Sequence, residues 1–576
     1  MHHSAGWLGL CGLVVTDDHV CPASQALNNS GLLWSSSTLR RLPLVTTSMQ
    51  ISHVSAAQRL LGVPEILTQV AEEVEDKYTA ASLARTCRDF CSPALDVLWR
   101  SQLGLVNIIK CMPADLWEIQ GSFTNHTRLT LTIRRAMRPG DWDRFNVYAP
   151  RIRELCLHFD GFWTTLYTDD VWSALDMYAP SRPLFPNLRK WEYYDIPQRN
   201  APNQQLFISA TLLELTLRWR SFDEPVALLL AGYVKPPQWP PRGIFDSLKE
   251  LRTVTMAGDL DNDLLENVLV ELRSLPHLKA LTIENISENI WMSAIPPVQV
   301  PPSFGALTAL HLSCNEGHSC AQMLETSYFP ALEELDIDVI ILGPLKDIFR
   351  IVQNHCSPTT LRILRVIGSD EGDSEFVGPD VGLLADADDF CPLYGFHNLE
   401  EVWVQSLHDI SLTDDDLHDM ALAWPNLRTL WLIPPEWLLL LSFTPDTFSP
   451  AGTLMGLLPF AQHCPQLTSL ALALDTSHTD ADRLLDASPS ILQCESAVTH
   501  LLIGECEGQT GDVQQIAMSL ALMFPQLEVV VGDYPRLNTD PESVWMEVDR
   551  IYPQCLREVL AKKRQHRKAM SAAAGG

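Results

Sequence analysis

No two of the 14 cysteines stand at Cys-x-x-Cys spacing. That absence excludes zinc-ribbon and finger sites and thioredoxin-like redox motifs. No uninterrupted apolar run reaches the ~18 residues that a membrane-spanning helix needs. There is no Gly-rich phosphate loop and no dinucleotide fingerprint, so nucleotide-dependent chemistry has no visible seat. Positive charge is scarce: 41 Lys and Arg face 71 Asp and Glu, for a net charge of −30. Phosphate backbones and anionic membranes are therefore not expected as partners, whereas basic proteins are admissible. The cysteines, scattered from Cys11 to Cys555 and including Cys314 and Cys320, read as reduced, mostly buried thiols of an intracellular protein, cytoplasmic, nuclear or both. Trp7 to Val15 is short and has no Lys or Arg before it, unlike a secretory signal.

What the sequence does have is a repeated phrase, apolar-x-x-apolar-x-apolar. It runs Ile152/Leu155/Leu157, Leu188/Trp191/Tyr193, Leu212/Leu215/Leu217, Leu251/Val254/Met256, Leu278/Leu281/Ile283 and Leu307/Leu310/Leu312. It continues at Leu332/Leu335/Ile337, Leu361/Leu364/Val366, Leu399/Val402/Val404, Leu427/Leu430/Leu432, Leu467/Leu470/Leu472 and Val498/Leu501/Ile503, with a partial unit at Leu527. Arg128–Ile133 reads as a degenerate first strand. Prolines two residues before the phrase (Pro186, Pro276, Pro330, Pro425, Pro465, Pro525) end a helix and force extended backbone. Helical stretches such as Asp263–Leu272 and Asp414–Ala423 lie between phrases. Self-similarity at this period means stacked units that bury a common core.

The unit of strand, turn, helix, proline and strand resembles the leucine-rich repeat. That resemblance implies an α/β solenoid, a horseshoe with a parallel sheet on its concave side and helices on its convex side. The family places Asn or Cys eight residues after the first apolar position. Asn315 fits, but Ile286, Ile340 and Leu407 do not, so a continuous Asn ladder is not expected. Wider gaps predict loops around 222–245, 370–392 and 434–455.

Upstream, three short apolar stripes predict a three-helix bundle. The first begins at Pro64 with Glu65, Ile66, Leu67, Val70 and Val74; the second holds Leu83, Ala84, Cys87, Phe90 and Cys91 and is interrupted at Pro93; the third holds Ala94, Leu95, Leu98 and Trp99. The ordered segments Val63-Pro64-Glu65-Ile66-Leu67, Leu83-Ala84-Arg85-Thr86-Cys87-Arg88 and Ser92-Pro93-Ala94-Leu95-Asp96-Val97-Leu98-Trp99-Arg100 resemble a fungal-type F-box. Val63 stands where that family has Leu. The resemblance implies docking on the Skp-type adaptor of an SCF cullin–RING ubiquitin ligase and, through it, on the cullin. By matching position, Pro64, Ile66 and Leu67 supply the first adaptor contacts, with Leu83, Cys87 and Trp99 as core or secondary contacts. The alternative reading is a helical cap on the repeats. The expected organisation is a poorly ordered leader (1–54), an F-box-like domain (55–110), the irregular repeats (120–535), and a C-terminal helix with a basic tail (536–576).

No cofactor, metal site or catalytic residue of this chain is expected. Gly317-His318-Ser319-Cys320-Ala321 lacks the final Gly of a nucleophile elbow, and Ser319 to Gln322 reads instead as a capping box starting a helix. Asp259–Asp263 lacks the Gly and Glu of a calcium loop. Asp414–Asp416 suits a helix first turn. His355-Cys356 and His463-Cys464 occupy equivalent places in two repeats and read as packing. The C-terminal helix carries Val544, Trp545, Val548 and Ile551 on one face and is expected to break at Pro553. Lys562–Lys568 reads as a solvated tail, with a nuclear-import address as the alternative.

Strand alternation turns His311, Asp336, Arg365, Trp403, Trp431 and Ala471 away from the core, with Ser313, Asp338, Ile367, Gln405, Ile433 and Ala473 two residues on. Tryptophans beside an arginine compose a binding hot spot; the alternatives are that an insertion loop or the C-terminal tail covers them, and that Arg365 pairs with Asp336 across the strands. His311, Asp336, Arg365, Trp403, Gln405 and Trp431 are accordingly the expected contacts to an unknown target protein. The expected role is a non-catalytic, substrate-recognition subunit; the alternative is a repeat scaffold without a ligase role.

Overall fold

The computed structural model describes residues 63–574 except 75, 122–128, 158–165, 196–203, 220–244, 259–261, 287–302, 342–343, 369–383, 406–408, 434–449, 478–480, 482–490, 493–494, 505–511 and 533–543. The leader expected over 1–54 lies outside them, as do most of the three predicted insertion loops, residue Leu407 and the side chains of Ile286, Asn315 and Ile340. The chain divides into two compact units, Met1–Thr253 and Val254–Gly576.

The first unit opens with three helices, α1 (Pro64–Glu72), α2 (Lys77–Leu83) and α3 (Arg88–Arg100). Pro64 starts α1, where its missing N–H costs nothing. Asp76 caps α2 by accepting the Thr79 N–H at 2.8 Å. The bundle therefore breaks across 84–87 and not at Pro93, which lies inside α3. An interior proline costs about 3 kcal/mol. Beyond it Ala94 and Trp99 are buried, which works against that loss. Trp99 stacks on Tyr148 with ring centroids 4.6 Å apart.

The sheet of this unit runs β1 (Ser101–Leu103), β2 (Glu154–Leu157), β3 (Lys190–Asp195) and β4 (Glu214–Trp219), with parallel pairing throughout. Its first strand is Ser101–Leu103, directly after α3. The Arg128–Ile133 stretch forms Thr130–Ile133 instead in a separate small sheet, antiparallel to Trp117–Gln120 and parallel to Leu166–Tyr167. That hairpin fills the long gap between β1 and β2. The core is aromatic. Trp142, Phe145, Phe185, Phe207 and Trp191 follow one another at centroid distances of 5.0, 5.9, 6.1 and 5.4 Å.

The second unit continues the pattern with β5 (Thr253–Ala257), β6 (Ala280–Ile286), β7 (Ala309–Glu316), β8 (Glu334–Ile341) and β9 (Ile363–Gly368). There follow β10 (Glu401–Gln405), β11 (Thr429–Ile433), β12 (Ser469–Ala473), β13 (His500–Gly504) and β14 (Val529–Gly532), in sheet order equal to chain order. Its helices include α4 (Asn262–Arg273), α5 (Gly317–Glu325), α6 (Leu345–His355), α7 (Asp414–Ala423), α8 (Val513–Met523) and α9 (Val544–Ala574). In α6, Leu345, Ile348, Phe349 and Val352 are buried, a stripe at i, i+3, i+4 and i+7 that faces the core. Each such side chain contributes about 1.5–3 kcal/mol. Helix α7 begins as the acidic run predicts, with Thr413 and Asp416 forming a reciprocal capping box. The fold is an α/β solenoid of leucine-rich-repeat type.

The first apolar residue of every complete phrase, from Ile152 to Val498, is at most 2% exposed. In most repeats the residue after it offers its carbonyl to two amides of the next repeat. Glu333 O accepts from Arg362 and Ile363 at 2.9 and 3.0 Å, Arg362 O from Glu400 and Glu401 at 2.7 and 3.0 Å, and Glu400 O from Arg428 and Thr429 at 2.7 and 3.1 Å. Cys356 and Cys464 are buried, with their thiols pushed up to about 12 by burial. His355 Nδ1 lies 2.8 Å from Ser327 O. The His-Cys pairs thus serve packing at repeat corners.

Three expectations are corrected here. Cys314 and Cys320 form a disulfide, their Cα atoms 6.4 Å apart, because β7 runs straight into α5 and brings strand end and helix start together. For the same reason Ser319 is not a cap. It lies inside α5, fully buried, and its Oγ has no hydrogen-bond partner among the described residues. Helix α9 does not stop at Pro553 but continues to Ala574. It is pinned on both sides of the proline: Tyr552 donates to Phe524 O at 2.6 Å and Lys563 to Leu522 O at 3.1 Å. Those carbonyls close the C-terminal end of α8, so α9 caps the last helix of the array. Lys563 is therefore buried rather than part of a solvated tail, and Arg567 pairs with Glu495 at 2.7 Å.

One glycine is fixed by its surroundings. Gly104 has φ +84°, its N–H donates to Cys156 O at 2.7 Å, and a Cβ there would lie 2.5 Å from Tyr167 Oη. That buried hydroxyl accepts the Leu105 N–H at 2.7 Å. We predict that Gly104→Ala destabilises the N-terminal unit by at least about 1–2 kcal/mol, the cost of a left-handed residue, with displacement of Tyr167 adding to it. Urea unfolding followed by tryptophan fluorescence should show a lower midpoint; an unchanged midpoint would contradict the assignment.

Candidate functional site

The six outward residues line up across the second unit. His311 pairs with Asp336, Asp336 with Arg365, Arg365 with Trp403, Trp403 with Trp431, and Trp431 with Ala471. Parallel strands lie about 4.8 Å apart, so these side chains form one row on the sheet face away from the helices. A second row, Ser313, Asp338, Ile367 and Gln405, runs beside it in register, and all four are half-buried. A third row, two residues upstream, holds Glu334, Ile363, Glu401 and Thr429. The sequence reading omitted Glu334 and Glu401, although the same period-two rule places them there.

Arg365 is the centre of this face. Its Nη1 reaches Glu334 at 2.7 Å and Asp336 at 3.1 Å, and its Nε reaches Glu401 at 2.5 Å. One guanidinium thus serves three carboxylates. His311 Nδ1 stands 3.9 Å from Asp336. Burial raises the Asp336 carboxyl above its ordinary value, and Glu334 adds to the rise, against the opposing pull of Arg365 and His311. Arg365 is accordingly not a free contact beside the tryptophans, as the hot-spot reading supposes, but the counterion of its own strand neighbours.

Trp403 and Trp431 stack at 4.4 Å with planes 30° apart. Both are half-buried. Trp431 Nε1 donates to Ser469 Oγ at 2.8 Å, whereas the buried Trp403 Nε1 hydrogen has no acceptor among the described residues. The row does not extend outward to Ala471, which is fully buried. The Trp431 indole reaches across to Ser469 of that strand, two residues before Ala471 and on the same face. A second charge line, Arg362, Glu400 and Arg428, borders the strand starts, with Arg362 Nε to Glu400 at 2.7 Å and Arg428 Nε to Glu400 at 3.2 Å. Exposed pairs of this kind are worth about 0.2–1 kcal/mol each. No group of three His, Cys, Asp or Glu side chains among the described residues is arranged to hold a metal ion.

The helical bundle places its six expected residues unevenly. Pro64 and Cys87 are exposed and Ile66 and Leu83 are half-buried. Leu67 and Trp99 are each 4% exposed. Leu67 belongs to the core between α1 and α3, and Trp99 to the contact with Tyr148, so neither can meet a partner without unfolding the bundle. The sequence reading missed Val63, Val70 and Tyr78, exposed at 38%, 43% and 66%. Val63, Ile66 and Val70 fall at i, i+3 and i+7, one apolar stripe on the outer side of α1.

No family model matches the chain, and no curated protein matches it. Among solved structures, the leucine-rich repeat domain of APL1 is similar at 13% identity, covering 70% of this chain and 86% of that one, with a TM-score of 0.32. A Bacteroides fragilis protein is similar at 12% identity, covering 53% and 68%, with a TM-score of 0.20. Likenesses this slight carry no weight for function; the class rests on the strand register and the repeat of strand and helix.

The environment of Asp336 makes a pH-dependent prediction. Its raised folded value means that ionisation opposes folding at neutral pH, while the protonated carboxyl favours folding below the ordinary value of 3.8. Asp336→Asn should therefore raise the urea midpoint of the C-terminal unit at pH 7. The gain should vanish as the pH falls through the folded value toward 3.8. A lower midpoint at pH 7 would show that the ion pair, and not burial, dominates.

Proposed function

We propose that this chain is the substrate-recognition subunit of an SCF-type cullin–RING ubiquitin ligase. The helical bundle would dock a Skp-type adaptor and, through it, the cullin, while the outward sheet face would bind the target protein. The observation that carries this reading is the stripe Val63, Ile66 and Val70, with Pro64 beside it: apolar side chains exposed, or half-buried at Ile66, on a helix whose opposite side, Leu67 and Ala71, is fully packed. An uncovered stripe of this kind suits a partner helix. The F-box-like order of segments supports the same reading. The mechanism is proximity. A charged ubiquitin carrier held near a bound lysine gains effective concentration, and the receptor itself supplies no catalytic group.

A repeat scaffold that binds proteins without a ligase role shares the outward face but needs no adaptor. Co-purification with a recombinant Skp-type adaptor separates the two. The intact chain should retain the adaptor, and Ile66→Asp should abolish retention while leaving the circular dichroism spectrum unchanged. Leu67→Asp is not a usable probe, because it would unfold the bundle. Failure of the intact chain to bind adaptor would leave the scaffold reading.

The target-binding half is tested by proximity labelling in cells expressing the wild-type chain or Trp403→Ala/Trp431→Ala. The adaptor should be labelled by both, and a subset of other proteins should be lost from the variant. An identical labelled set would remove the outward face from target recognition.

A further inference from the structure

One stretch of the acidic second unit is strongly basic. Residues 254–549 hold 9 Lys or Arg against 45 Asp or Glu, whereas 550–568 hold 7 Lys or Arg against one acid, Glu558. Three of those seven are engaged within the unit. Lys563 donates to Leu522 O, Arg550 pairs with Glu547 at 2.5 Å, and Arg567 pairs with Glu495 at 2.7 Å. The other four, Arg557, Lys562, Arg564 and Lys568, are exposed and have no carboxylate partner among the described residues. Arg557 Nε donates to Pro553 O at 3.2 Å, a neutral acceptor that leaves its charge uncompensated. The helix dipole does not account for these cations either. Helix α9 continues to Ala574, and the pull on cations is confined to the last turn.

Helical periodicity puts three of the four in a line. Trp545, Val548, Tyr552, Cys555, Val559 and Lys563 are buried and mark the packed side of α9. Arg557, Arg564 and Lys568 fall at i, i+7 and i+11, on the opposite side. At a rise of about 1.5 Å per residue they stand roughly 10 Å and 6 Å apart along the axis. Glu558 and Lys562, one turn apart, lie to one side of this line. Like charges one turn apart on a helix repel each other, and no packing contact of the fold calls for this line.

We propose that the outer side of α9 docks an acidic segment of a partner protein, its carboxylates meeting Arg557, Arg564 and Lys568 in turn. The spacing selects the chemistry. Cations spread along a line suit single charges distributed along a polypeptide, whereas a phosphate group concentrates its charge and is held by cations that converge. The surroundings select the size. Duplex DNA or an anionic membrane would extend past α9 over the acidic remainder of the unit and be repelled, but a short segment touches the basic line alone. Because α9 packs on the end of α8, this surface is separate from the outward sheet face. The docking is additional to the adaptor and target contacts proposed above and depends on neither.

The test is fluorescence anisotropy with the full-length chain and a labelled Gly/Ser peptide carrying glutamates, beside its glutamine counterpart. The glutamate peptide should bind, and its binding should weaken as salt rises. The glutamine peptide should not bind. Arg557→Gln/Arg564→Gln/Lys568→Gln, which keeps good helix formers at exposed positions, should weaken glutamate-peptide binding about tenfold, the combined effect of three exposed pairs. Its circular dichroism spectrum should be unchanged. Arg350→Gln/Arg362→Gln/Arg428→Gln removes the same charge from exposed sites elsewhere in the unit and should leave binding unchanged. Equal loss in the two triple variants, equal binding of the two peptides, no binding of the glutamate peptide, or tighter binding of duplex DNA or phosphatidylserine vesicles than of the glutamate peptide would overturn the inference. Adaptor retention by the same preparations tests the ligase reading separately, so a chain that holds the adaptor yet ignores the glutamate peptide fails on this point alone.

Discussion

One carbonyl recurs along the repeats of each unit. In most repeats the residue after the first apolar position accepts two amides from the following repeat, as Arg153 O does from Arg189 and Lys190 and Thr468 O from Thr499 and His500. Both lone pairs of a backbone oxygen are used, so a turn that would otherwise leave polar groups unpaired becomes part of the ladder. The bond pair fixes where each strand starts. With the start fixed, alternation decides which side chains enter the core and which face outward. A slip of one residue would exchange them all. The row from His311 to Trp431 exists because that slip does not occur over five successive strands.

This is why the repeats were legible in sequence and their surroundings less so. The phrase is the direct imprint of the ladder, and its buried leucines were all in place. What lay between was set by closure in space. Ser101–Leu103 carries no phrase, yet it becomes a strand because α3 delivers it to the open edge beside Glu154–Leu157. Thr130–Ile133 has the right alternation but is taken by a local hairpin. Cys314 and Cys320 have a spacing that means nothing until the strand and helix are seen to meet. Pro553 reads as a stop, but the contacts of Tyr552 and Lys563 with the end of α8 outweigh the loss of one helical bond.

The candidate site shows the same division. Its columns follow from alternation, so His311, Asp336, Arg365, Trp403, Gln405 and Trp431 were foreseeable as neighbours. Their roles were not. Arg365 reads in sequence either as a contact residue or as a cross-strand partner of Asp336, and the distances to Glu334, Asp336 and Glu401 make it an internal counterion. Ala471 sits in the right register but is buried. In the helical bundle, Leu67 and Trp99 match the family pattern while the structure places them in the core. Val63, standing where the F-box pattern has Leu, and Val70 are exposed. Composition gave the inventory; burial sorted it into scaffold and surface.

The central claim is that targets are gripped on the outward face of β8–β11 and not on the helices behind it. Site-specific photo-cross-linking tests this most directly. A photoreactive side chain would be placed at Gln405 on the outward face or at Leu422, exposed at 51% on α7. The account predicts target cross-links from position 405 and none from position 422, in a sample where both variants retain the adaptor. Cross-links from 422 with none from 405 would contradict it.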